Sequence, residues 1–175
     1  MDETGNVVKH GMDMAVPMAL YTTAISVSLI YTDVVPPLAL LALALLLAGP
    51  FLLYRIQRRY FVASDCTCGM WDLWRLGIVA IFFGTVFTLL ATYGILEYVR
   101  PGYITGQFET VLETYKQIPQ LKDAEVTETL EYALKNDLIP TAWEFSLQMF
   151  VYTNISGMLM GIVTSMLASR TYYRH

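Results

Sequence analysis

LGIVAIFFGTVFTLLATYGILEY, residues 76–98, carries no charged side chain until Glu97. An α-helix rises about 1.5 Å per residue and the hydrocarbon core of a bilayer is about 30 Å thick, so about 20 apolar residues cross it. Strands of globular proteins usually stop at roughly ten residues. The run therefore predicts a membrane-spanning helix, and it sets the scale for its neighbours.

Three other runs match that scale. Residues 13–31 hold no charge after Asp13, residues 34–54 are nearly pure Ala and Leu through LALLALALLLAG, and residues 145–168 carry no charge at all. A signal peptide would begin with a basic segment. The first run instead follows the acid-bearing MDETGNVVKHGMD, which favours a span. Across 175 residues, 55% are hydrophobic and 15% charged, well below the ~25% charged of soluble domains. Net charge is -4, which leaves no basic footprint for nucleic acid. The expected fold is all-α, an integral membrane four-helix bundle forming a single membrane domain over residues 1–175. Its spans are expected at about 13–31, 34–54, 76–98 and 145–168, with an extracytoplasmic connector over 100–140.

Pro36–Pro37 can open a helix, because the missing amides are unpaired there anyway. Thr32–Asp33 then forms a tight turn, and the first two spans make an antiparallel hairpin. Trp71, Trp74, Tyr98, Tyr103, Trp143, Tyr172 and Tyr173 fall at span ends, where amphipathic rings collect at headgroup level. Lys and Arg accumulate on the cytoplasmic side of membrane proteins. Arg55, Arg58 and Arg59 between the second and third spans share one side with Arg75, Arg170, Arg174 and Lys9. The other side holds Asp33 and a segment whose seven acids (Glu109, Glu113, Asp123, Glu125, Glu128, Glu131, Asp137) outnumber Arg100, Lys116, Lys122 and Lys135. Both termini and the arginine loop are expected to be cytoplasmic, and the acidic connector outside.

CTCGMWDLWRLG, residues 66–77, suggests a metal or redox site at first sight. Cys66 and Cys68 supply only two soft ligands where a structural zinc takes four, and a reducing compartment disfavours a disulfide. The stretch reads as a turn before the third span, with Trp71 and Trp74 as interface anchors. Asp72 and Arg75 are spaced to pair at i,i+3. No metal or other cofactor is expected.

Within the connector, Ile104, Phe108, Val111, Leu112 and Tyr115 form one apolar helical stripe, ended by Pro119. Val126, Leu130, Ala133, Leu134 and Leu138 form a second, ended by Pro140. Two short amphipathic helices are expected between the third and fourth spans. Interfacial lipid-binding helices usually have basic polar faces, and these are acidic. Capping the bundle or binding a protein through Phe108, Leu112 and Tyr115 is therefore favoured over lying on lipid.

Small residues recur every four positions in two spans: Ala80, Gly84, Thr88 and Thr92 in the third, and Thr153, Gly157, Gly161, Ser165 and Ser169 in the fourth. Such ridges let helix backbones approach closely, so Gly84 and Thr88 are expected to pack against Gly157, Gly161 and Ser165. Ala168 falls on another face. Asn154 lies near mid-span, with Gln148 and Tyr152 nearer the outer end. Intramembrane polar groups are candidate functional residues, although an interhelical hydrogen bond suits Asn154 better. Asn154-Ile-Ser156 spells a glycosylation sequon that bilayer depth would silence. Glu97 and Glu144 sit at outer ends, within reach of water.

The Arg-rich loop, Gly77 opening the third span, TYGILEYVRPGYI at its exit, the glutamate-rich connector and the Gly-rich last span with its basic tail go together. In these features the chain resembles a family of small four-span bacterial membrane proteins, domain of unknown function forty-one ninety-nine, best from Arg59 to Ser169. Gly77, Pro101 and the small residues of the last span match the family's recurrent positions. CTCGMWD does not. The resemblance implies no enzymatic activity. It implies an accessory role beside a membrane glycosyltransferase acting on polyprenyl phosphate, in the bacterial inner membrane.

No phosphate loop, zinc motif or nucleophile elbow is visible. The first expectation is a non-enzymatic accessory or scaffold protein whose partners are membrane lipids and another membrane protein, or itself as a homo-oligomer. The second is a small transporter, channel or flippase subunit acting as an oligomer, with Asn154 and Gln148 lining a polar path. An integral-membrane enzyme using Glu97 and Glu144 as an acid/base pair ranks third.

Overall fold

A computed structural model describes residues 3–65, 67–117, 124–136 and 138–170, and every regular element among them is helical. The elements are α1 (Glu3–Asp13), α2 (Ala15–Ile30), α3 (Pro37–Ala63), α4 (Met70–Gly94) followed by a π-helical turn (Ile95–Val99), α5 (Tyr103–Gln117), α6 (Ala124–Lys135) and α7 (Ala142–Arg170). Three helical stretches, Pro37–Ala63, Met70–Val99 and Ala142–Arg170, are long and apolar enough to cross a membrane. The chain forms two compact units, residues 1–92 with 149–175, and residues 93–148.

The first unit is where the sequence expectation needs most correction. The run at 13–31 folds as α2 alone, 16 residues and short for a crossing by itself, and α1 joins it from upstream at a 43° bend. Pro17 explains the position. It has no amide to give the Asp13 carbonyl, and its ring crowds that oxygen, so the axis breaks one turn upstream. The α2–α3 turn does sit before the two prolines. The Tyr31 carbonyl accepts the Val35 amide at 2.9 Å, and the Asp33 carboxylate accepts the Val34 amide at 2.9 Å.

The second correction concerns the arginines. Arg55, Arg58 and Arg59 are not in a loop, because α3 continues for 27 residues to Ala63. About 20 residues suffice for a ~30 Å crossing, so the charged part is a continuation of the same helix beyond that length. Pro50 sits inside α3 and leaves the Leu46 carbonyl without its usual amide. One residue earlier, the Leu45 carbonyl accepts the Tyr21 hydroxyl from α2.

Helix α4 is the central element of this unit. Leu73, Leu76, Gly77, Ala80, Ile81, Gly84, Thr85, Thr88 and Thr92 are all buried. Glycines mark its close approaches. A Cβ built on Gly11 of α1 would lie 2.7 Å from Val79, one on Gly84 would lie 2.8 Å from Met18 of α2, and one on Gly157 of α7 would lie 2.8 Å from Ile81. The contacts fix directions: α2 runs parallel to α4, while α3 and α7 run antiparallel to it and parallel to one another. The His10 and Tyr60 rings lie 5.1 Å apart, and Arg58 donates to the Ala168 carbonyl at 3.2 Å. The end of α1, the ends of α3 and α7 and the start of α4 therefore share one end of the unit.

In the second unit, α5 and α6 lie side by side, joined by a Lys116–Glu131 ion pair. Gly102, at φ 83°, supplies the left-handed residue that turns the chain after Pro101. The first turn of α7 is held by a capping box: the Glu144 amide donates to the Thr141 hydroxyl oxygen (3.2 Å), and the Glu144 carboxylate accepts the Thr141 amide (2.8 Å). The Trp143 ring meets Tyr93 edge-on at 5.7 Å.

Candidate functional site

Polar side chains buried among apolar helices are the natural candidates, because each needs a partner to offset its desolvation. Asn154 is one. Its Nδ2 donates to Thr85 Oγ1 on α4 and to the Phe150 carbonyl, both at 2.9 Å, while Oδ1 has no partner among the described residues. The interhelical bond anticipated for it is the contact seen.

Gln57 is the site residue that the sequence reading passed over. It is wholly buried, and its Nε2 lies 3.0 Å from Ser165 Oγ, 3.2 Å from the Leu73 carbonyl and 3.4 Å from the Gly161 carbonyl. One amide thus ties α3 to both α4 and α7. Its Oε1, like Asn154 Oδ1, is buried without a partner among the described residues. The signal was present: in FLLYRIQRRYF, Gln57 shares a helical face with Leu53, Tyr60 and Phe61, all buried. It was hidden because the arginines around it looked like a loop.

The ridge residues divide between partners. Gly84 and Thr88 do not face α7, as the fourfold spacing suggested. They face α2, where Thr88 Oγ1 lies 2.6 Å from Thr22 Oγ1 and 3.1 Å from Thr23 Oγ1. Gly157 packs on Ile81, and Gly161 faces the Trp74 ring at 3.3 Å from a built Cβ. Ser165 donates to the Gly161 carbonyl at 2.5 Å while receiving Gln57. Trp74 turns inward and donates to the Met158 carbonyl at 3.1 Å, whereas Trp71 stays 61% exposed. Ala168, assigned to an uninvolved face, is wholly buried.

Glu97 and Glu144 are both exposed. Glu144 is occupied by the cap of α7, so its position has a structural cause. The TAWE spelling of that cap was legible in the sequence. Gln148 is exposed beside half-buried Met149. On α5, Phe108, Leu112 and Tyr115 are half-buried, while Glu109 and Glu113 are exposed. More open apolar groups of the hairpin are Val111 and Tyr132.

Near the shared end of the first unit, Asp72 accepts the Gly69 amide at 3.1 Å, and its pairing with Arg75 stretches to 3.8 Å between exposed groups. Cys68 Sγ accepts the Ser64 hydroxyl at 3.0 Å, and Cys66 lies outside the described residues. No group of three or more metal-ligating side chains occurs among the described residues. Pro119, Lys122, Asp123, Asp137, Tyr172, Tyr173, Arg174 and His175 also lie outside them.

Residues 9–170 match the family described as Protein of unknown function (DUF4199). No curated protein and no solved structure matches the chain.

Proposed function

The chain belongs to the DUF4199 family, and from that premise we propose that it is a four-pass protein of the bacterial inner membrane. It acts without catalysis, as an accessory or scaffold subunit serving a polyprenyl-phosphate glycosyltransferase or related lipid-linked sugar pathway. Its arginine-bearing end and both termini face the cytoplasm, and the bent α1–α2 pair makes the fourth crossing.

The observation that supports this reading is where the buried polar groups go. Thr22, Gln57, Thr85, Thr88, Asn154, Thr164 and Ser165 all bond to helix carbonyls or to neighbouring helices. Those that run between helices, Thr22–Thr88, Gln57–Ser165 and Asn154–Thr85, fix helix positions, as a scaffold requires, and the acidic, partly apolar α5–α6 hairpin is left to meet a partner. The test is purification from native membranes in mild detergent. The triple substitution F108S/L112S/Y115S should release the co-purifying glycosyltransferase and lower pathway output, with the melting temperature of the chain unchanged. Retention of the partner by that variant would refute the assigned surface.

A second reading, a transporter or flippase subunit, is favoured by the unpartnered oxygens of Gln57 and Asn154 alone. It replaces the first if N154L abolishes function in protein that still folds and still holds its partner.

A further inference from the structure

Two grooves on the first unit share their walls. One, of about 870 Å3, runs between α3 and α7 and is lined by Pro50, Phe51, Tyr54, Leu159, Val163 and Leu167. The other, of about 530 Å3, continues from Phe51 and Tyr54 past Arg55, Arg58 and Arg59. On α3 the sequence explains the continuity. Phe51, Tyr54, Arg55, Arg58, Arg59 and Val62 fall at i, i+3, i+4, i+7, i+8 and i+11, one helical stripe that is apolar at one end and cationic at the other.

Depth and charge select the occupant. Between Ser156 and Leu167, both at the larger groove, α7 rises about 16 Å, close to half of the ~30 Å hydrocarbon core. The groove is thus one leaflet deep, too short for a crossing helix of another chain and suited to an acyl chain. Its arginines stand about 20 residues along α3, where that helix leaves hydrocarbon. Arg58 is held by the Ala168 carbonyl and lies over the Phe61 ring at 5.7 Å. Arg55 and Arg59 are exposed, without a hydrogen bond or ion pair to another described residue. Guanidinium forks match phosphate oxygens bidentately.

We infer that the α3–α7 groove is a binding site for one anionic glycerophospholipid, its phosphate on Arg55 and Arg59 and one acyl chain along Tyr54, Leu159 and Val163. The inference rests on the chain being membrane-embedded, but not on its having a protein partner. The lipid is therefore a built-in part of the α3–α7 seam, and it comes from the leaflet on the arginine side.

The test uses the full chain in mild detergent, titrated with palmitoyl-oleoyl phosphatidylglycerol or with phosphatidylcholine of the same chains. Bound lipid is read by native mass spectrometry. Saturable binding of phosphatidylglycerol, at least tenfold tighter than phosphatidylcholine, is expected. R55Q/R59Q should weaken phosphatidylglycerol about thirtyfold, from roughly one surface charge's worth of attraction per arginine. V163W places an indole in mid-groove at a position already 56% exposed, and should weaken both lipids. All variants should melt like the parent in lipid-free detergent, since none of the three side chains is buried. Equal affinity for the two lipids overturns the inference, and so does unchanged phosphatidylglycerol binding in V163W. Cross-linking of L159C chains to one another in native membranes, with lipid binding absent, assigns the groove to a second copy and also overturns it. None of these outcomes depends on the glycosyltransferase, so failure here and failure of the accessory role are told apart.

Discussion

Adding one methyl group to Gly84 probes the α2–α4 contact most directly. The Cβ of G84A would lie 2.8 Å from Met18 Cβ, 3.1 Å from the Ala19 amide nitrogen and 3.2 Å from the Ala15 carbonyl oxygen. None of these atoms moves without its main chain, so relief means separating two helices rather than rotating a side chain. Separation would also stretch the 2.6 Å Thr22–Thr88 contact one turn further along. Overpacking of this kind costs about 1–3 kcal/mol. The loss of glycine's freedom in the unfolded chain returns about 0.4–1 kcal/mol. A net loss of roughly 1–2 kcal/mol remains. For chains of this length each kcal/mol shifts the midpoint by about 2–4 °C, so melting in detergent should fall by roughly 3–6 °C. The comparator is G106A in α5, whose Cβ meets nothing within 4 Å. There helix propensity alone acts, and the midpoint should hold or rise. If G84A melts at or above G106A, the close approach of α2 and α4 is not what holds this unit together.

Other perturbations test separate links. A double-mutant cycle of N154L and T85V should return a coupling of about 0.6 kcal/mol and no more than ~1.7, the range of interhelical bonds in membranes; additive effects would mean the 2.9 Å bond is idle. T141A should remove the cap of α7 and speed amide exchange in its first turn about fivefold, leaving exchange beyond Met149 unchanged. In a chain freed of native thiols (C66S, C68S), E113C should label with an impermeant thiol reagent in cells opened only at the outer membrane, and A63C should not. The reverse pattern would invert the orientation.

Much of the helical plan was legible because length and apolarity alone define a membrane span. Runs such as 76–98 and 145–168 need no knowledge of their neighbours. The faces were not legible. Helices α4 and α7 are apolar nearly all round, so hydrophobicity does not say which side turns inward. Fourfold small residues mark a close approach without naming the partner, and that is how Gly84 was matched with α7 instead of α2. Charge misled at α3. Arginines usually signal the end of a span, yet a helix can run on past the hydrocarbon, and Gln57 lay inside that overlooked extension. The bend before Ala15 was encoded by Pro17, whose effect falls four residues upstream of itself, on the Asp13 carbonyl.

That bend bears on where the protein can reside. The 16 residues of α2 rise about 24 Å, roughly 6 Å short of a ~30 Å hydrocarbon core. On the four-pass reading the shortfall is met by Val7–Asp13, which leans away at 43° and so gives only about three-quarters of its length to the crossing. This span matches the bilayer with almost nothing to spare, while α3 has about 10 Å in excess. Mismatch costs a fraction of a kcal/mol per Å. Thickening the membrane would stretch the bent span first, so bilayer thickness would act on this fold through its shortest crossing.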